Sequence, residues 1–146
     1  MRYARHSPMV PGRDMLLAAF RGLPHDDHPM LEVAGELAQL HEMRERTPVH
    51  EMAKLDRRRA QLVRGIDRWV TLAMPVPGTA ALMHTETVGQ IVDRLARMTS
   101  QAFVPLSQAP EAVFYDAWVQ LNELADTYQD LVDELRDGTR RLPESG

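Results

Sequence analysis

The sequence contains no cysteine, which excludes disulfides, zinc–thiolate sites and thiol nucleophiles. Lysine is almost missing too: Lys54 stands alone among 17 basic residues, and the rest are arginine. Aromatic residues make up only 5%. No apolar run approaches the ~20 residues of a membrane-spanning helix. The basic start, Met1 to His6, is not followed by the apolar stretch and cleavage site of a secretory signal. A cytoplasmic protein, with no membrane role, is therefore expected. Glycine-rich nucleotide loops, a serine elbow and the Glu-x-x-His pairs of metal-binding bundles are all lacking. Neither a cofactor nor a metal is expected.

What is present is a chain of 146 residues, 44% hydrophobic and 26% charged, suited to one globular domain spanning 1–146. The net charge of −4 is unevenly spread. Residues 109–146 hold nine acids against three arginines, whereas residues 1–73 are slightly basic. Arg57-Arg58-Arg59 is the one basic run, and without interleaved aromatics in an acidic chain it does not suggest nucleic-acid binding.

Periodicity near 3.6 recurs five times, and no segment alternates with the period of a strand. The expected fold is all-α: a single bundle of four long helices preceded by a short one, with residues 1–11 and 139–146 as flexible ends. The short helix spans Arg13 to Arg21 and stops at Gly22. A second starts at Pro29 and ends before Pro48, with Met30, Ala34, Leu37 and His41 on one face. The third runs from Val49 to Ala73, and its seam reads Met52, Leu55, Arg59, Leu62, Ile66, Trp69. Thr87 and Gln90 form a capping box that starts the fourth, which Pro105 ends. The fifth, Glu111 to Asp137, is apolar at Phe114, Trp118, Leu121, Ala125, Tyr128, Val132 and Leu135, with its acids on the outer face. Trp69 and Trp118 are both expected in the core.

Around the capping box the chain reads His84-Thr85-Glu86-Thr87-Val88-Gly89-Gln90-Ile91-Val92-Asp93-Arg94-Leu95. This resembles a family of small all-helical bacterial proteins of unknown function whose pattern is Thr-Glu-Thr-x-Gly-x-x-x-Asp-Arg-Leu. Leu55, Arg59, Ile66 and Asp67 agree with a second family stretch, and Leu40-His41-Glu42 with a third. Asp56-Arg57 and Ala60-Gln61 replace amide-containing pairs that are usual there. The resemblance implies an all-helical fold and a bacterial origin, but no activity.

Arg59 is the sharpest functional signal, because it interrupts an apolar seam and a buried guanidinium needs a counter-charge. Glu86 and Asp93 are its candidate partners, with His84 close by; the plainer alternative is a structural ion pair or a side chain reaching the rim. His41 lies on an apolar face, where a satisfied core histidine is the commoner case and a proton-exchanging group the other. His84, Thr85 and Glu86 adjoin the amide groups of a helix N-terminus, which attract anions; the plainer alternative is that Thr85-Glu86-Thr87 is only capping chemistry, with Glu86 well placed against the helix dipole. Asp93 and Arg97 are spaced to pair along the helix. His25-Asp26-Asp27-His28 is too compact to converge on an ion, and Asp27 or His28 is expected as a helix cap.

The candidate ligand-binding set is therefore Arg59, Thr85, Glu86, Asp93 and Arg94, with His41, His84 and Glu86 as candidate catalytic groups. The favoured function is a bacterial accessory subunit of a biosynthetic enzyme, including one of secondary metabolism, which associates with a protein partner in a hetero- or homo-oligomer. It would lend charged residues to a shared site for an anionic small molecule. The alternative is a stand-alone enzyme using the same Arg, Glu, Asp and His groups for positioning and proton transfer.

Overall fold

Helix ends in the computed structural model, which describes residues 9–103 and 111–144, follow the stop signals closely. Helix α1 spans Arg13–Phe20, α2 Pro29–Arg46, α3 Met52–Ala73, α4 Val88–Phe103 and α5 Glu111–Asp137. A single 3-10 turn, Val49–Glu51, leads into α3. The chain is all-α. Gly22 and Gly138 adopt φ of 76° and 77°, the left-handed conformation that ends α1 and α5 without a side-chain clash. His28, not Asp27, caps α2: its Nδ1 accepts the Met30 N–H at 3.1 Å, while Nε2 donates to the Met9 carbonyl at 2.8 Å. Pro105 lies outside the described residues.

Helix α4 sits at the centre, packed against α1, α2, α3 and α5. Its apolar face is wide enough for that position: Val88, Ile91, Val92, Leu95 and Ala96 are all fully buried. From α5 come Leu121, Ala125, Tyr128, Val132 and Leu135, as the periodicity predicts, together with Leu124 and Leu131. The Tyr128 hydroxyl donates to the Pro11 carbonyl at 2.7 Å, which ties the start of the described chain to the core.

Trp69 packs against the core, edge-on to His28 with ring centroids 4.8 Å apart. Trp118 does not, and this corrects the expectation. It is 46% exposed and stacks on the exposed Tyr115, centroids 6.2 Å apart. The groups opposite it are largely polar: Thr99 of α4, Arg13 of α1 and Arg21 just after α1 line a small open cavity with the ring, so the apolar core ends short of it.

The segment after α5, expected as a free end, instead places Arg140–Arg141 (β2) beside Leu82–Met83 (β1) in a short parallel pair. These two-residue strands carry no hydrophobic alternation, so no sequence pattern announces them. The pairing holds the loop before α4 in place, since the His84 N–H also donates to the Arg141 carbonyl at 2.7 Å.

Candidate functional site

Helices α3 and α4 cross at Gly89. A Cβ there would stand 2.5 Å from the Val63 carbonyl oxygen and 2.7 Å from Asp67 Oδ1, so only glycine lets the helices approach this closely. The capping box forms as expected: Thr87 Oγ1 accepts the Gln90 N–H at 3.1 Å, and Gln90 Oε1 accepts the Thr87 N–H at 2.9 Å. Asp67 completes it from α3, accepting the Gly89 N–H at 2.7 Å. Its buried carboxylate thus lies where the α4 dipole favours negative charge.

This arrangement matches the capping alternative. The N–H groups of Thr87, Gly89 and Gln90 are already taken, by Gln90, Asp67 and Thr87. The anion at this helix N-terminus is the protein's own. His84 has a similarly local duty, its Nδ1 accepting the Glu86 N–H at 3.1 Å. It does not line the cleft described next.

Beside the crossing lies an open cleft of about 580 Å³, with Ala60 and Val63 as its apolar floor. Arg59, Arg64 and Asp67 reach it from α3, Thr85 and Glu86 from the preceding loop, and Gln90, Asp93 and Arg94 from α4. On α3 the row Arg59, Val63, Asp67 has a spacing of four, which keeps these side chains on one face.

Arg59 donates to Asp93 Oδ2 at 3.3 Å, the predicted ion pair, although the guanidinium is about one third exposed at the cleft wall rather than buried in a seam. The other Asp93 oxygen accepts from His41 Nε2 at 2.8 Å. His41 is only 2% exposed, so Asp93 joins a core imidazole on α2 to a solvent-facing guanidinium on α3. Asp93 therefore bonds across helices, not along α4 to Arg97. Glu86 pairs with Arg94, whose Nη1 lies 2.5 Å from both carboxylate oxygens, and not with Arg59.

Arg64 and Asp67 are cleft residues absent from the predicted set. Asp67 was within reach, since it shares the Arg59 row and the second family stretch ends on it; no pattern in the sequence singles out Arg64. Among the described residues Arg64 makes no ion pair or hydrogen bond, whereas Arg58 on the neighbouring face is held by both Glu36 oxygens at 2.7 and 3.0 Å. The Glu36 hydrogen bond also raises the Arg58 pKa. Among the described residues no group of three His, Asp or Glu side chains is placed to hold a metal ion. No described helix is long and apolar enough to cross a membrane.

No curated protein and no solved structure gives a match to the chain. Residues 40–111, just under half of the chain, match the family described as protein of unknown function (DUF4254), and that segment contains His41, the whole of α3 and every residue of the cleft.

Proposed function

We propose that the protein binds an anionic small molecule in the cleft between α3 and α4. The observation that carries this is Arg64: a guanidinium at the cleft wall that makes no ion pair or hydrogen bond among the described residues, beside two others whose donors are only partly used. A guanidinium presents five N–H groups in a planar fork that matches carboxylate and phosphate. Arg59 and Arg94 each spend part of that fork on one carboxylate, which holds the rest in place for a ligand. Asp93, held from behind by His41, adds a fixed polar group to the cleft wall beside the bound anion. The test is calorimetric titration with inorganic phosphate and with succinate. Arg64→Met keeps the aliphatic stem and should weaken binding at least about tenfold, the size of one lost charge-assisted contact, with an unchanged circular dichroism spectrum. Equal affinity in the variant would overturn the reading.

The exposed end of α5 favours a second component, a protein partner. Val113, Tyr115 and Trp118 leave apolar and aromatic surface in water, the residue types enriched where proteins meet. In this reading the protein is an accessory subunit that contributes its cleft to a biosynthetic enzyme, in the bacterial cytoplasmic setting inferred from the sequence. The isolated chain should self-associate, and Trp118→Glu should make it monomeric in size-exclusion chromatography with light scattering. A wild-type chain that stays monomeric at high concentration and acts alone would remove this component.

A further inference from the structure

The charged cleft is the first of three cavities in series along α3. It shares Arg64 and Asp67 with a second, of about 370 Å³, whose wall adds Leu72, Leu142 and Pro143. The second shares Thr71, Leu142 and Pro143 with a third, of about 380 Å³, which reaches Val70, Met74 and the Pro75–Pro77 stretch. Arg141 and Glu144 are the only charged residues of that last cavity. Along this path the guanidiniums fall from three (Arg59, Arg64, Arg94) to two (Arg64, Arg68) and then to one (Arg141), while aliphatic side chains and prolines take their place. From Arg59 to Ala73 the helix rises about 21 Å, so the groove is long as well as graded.

Two features at its far end have no other account. Leu72 is 81% and Val76 90% exposed, large aliphatic groups left in water where the chain turns away from α3. Opposite them the segment following β2 lies along α3 as the other wall, held there by the β1–β2 pair. A compact anion would use the first cavity and leave this apolar extension empty.

We propose, building on the cleft reading above, that the ligand is an amphiphilic anion. Its carboxylate or phosphate head lies against Arg59, Arg64 and Arg94, and its extended apolar chain runs past Leu72 towards Val76 and Pro143. The ligand is a free molecule of this kind and not the surface of a membrane, because a chain lying in a groove along one helix must leave the bilayer to reach it.

The test titrates the full chain with inorganic phosphate and with butyl, hexyl and octyl phosphate, each below its aggregation concentration. The matching alkanoates and octanol follow in separate runs. Full burial of a methylene tightens binding about fourfold, so an open groove should give roughly twofold to fourfold per methylene. Leu72→Asn and Val76→Asn change exposed positions without adding charge and should leave the fold and the phosphate affinity intact while abolishing the gain with chain length. Arg64→Met should weaken every alkyl phosphate alike. Octyl phosphate binding no more tightly than phosphate would overturn this inference and leave the anion cleft standing; no binding of any phosphate or carboxylate would overturn both. A chain-length gain unchanged in Leu72→Asn and Val76→Asn would place the chain elsewhere and also overturn it. Flotation with phosphatidylglycerol vesicles, without binding of the monomeric amphiphiles, would assign a membrane surface instead.

Discussion

Helices α3 and α5 look alike as sequences, long and amphipathic, but the structure uses them differently. Helix α5 buries seven side chains, all from Leu121 onward: five at predicted apolar positions, with Leu124 and Leu131 widening the face. Helix α3 buries four, none before Leu62, and one of the four is the carboxylate of Asp67. Most acids of α5 point to water, although Asp126 and Glu134 pair with Arg13 of α1 and Arg140 of β2. The charges of α3 that fall in or beside its seam, Arg59 and Asp67, meet partners on α4. A charge on the outer face of a helix therefore meets at most a rim pair, whereas a charge in the seam marked the place where two helices open into a cleft.

The strongest way to break this contrast is Gly89→Ala. The added methyl must displace the Val63 backbone or Asp67, at a cost of about 3 kcal/mol or more for a clash that no rotamer relieves. Urea unfolding should show it, and a variant of wild-type stability would mean that the α3–α4 crossing is looser than described. Next comes Asp93→Ala, which strips the buried His41 of its partner and should cost about 1–3 kcal/mol, the penalty of an unsatisfied buried polar group. Arg59→Met on the same carboxylate leaves that contact intact and should cost about 1 kcal/mol or less, as exposed pairs do.

On α5 the sensitive position is Tyr128. Burial pushes its phenol pKa well above the ordinary value, so the folded protein holds this proton more firmly than the unfolded chain. Its contribution is complete below about pH 10, the unfolded value, and is lost as the pH rises further. Tyr128→Phe should cost about 1 kcal/mol at neutral pH, the net value of one hydrogen bond, and flatten the alkaline fall in stability. The smallest effect belongs to the outer acids: Asp130→Asn should stay within about 0.5 kcal/mol, the usual range for such surface changes. A larger loss would show that the acidic face is bound rather than solvated.

Much of the fold was readable because its signals are local. The periodic apolar positions of α4 and α5, Pro29, the left-handed Gly22 and Gly138, and the Thr87–Gln90 box each act within a turn or two of chain. The Arg59–Asp93 pair was also within reach, since a guanidinium in a seam has few ways to be satisfied. Trp118 misled because periodicity reports which face is apolar and not which groups the neighbouring helices set opposite it. The β1–β2 pair was unreadable because two residues cannot show an alternation.

Sequence by itself thus determined the helices, their ends, the capping box and the separation of acidic surface from apolar face. Only the tertiary structure decided what those features meet. It set the protein's own Asp67 against the α4 amide that an incoming anion could have used, and it joined His41 and Arg59 through Asp93. These contacts link positions 22, 52 and 34 residues apart. Helical periodicity decays as a guide over a few turns, and the register between helices is set by where their backbones can touch, here at Gly89.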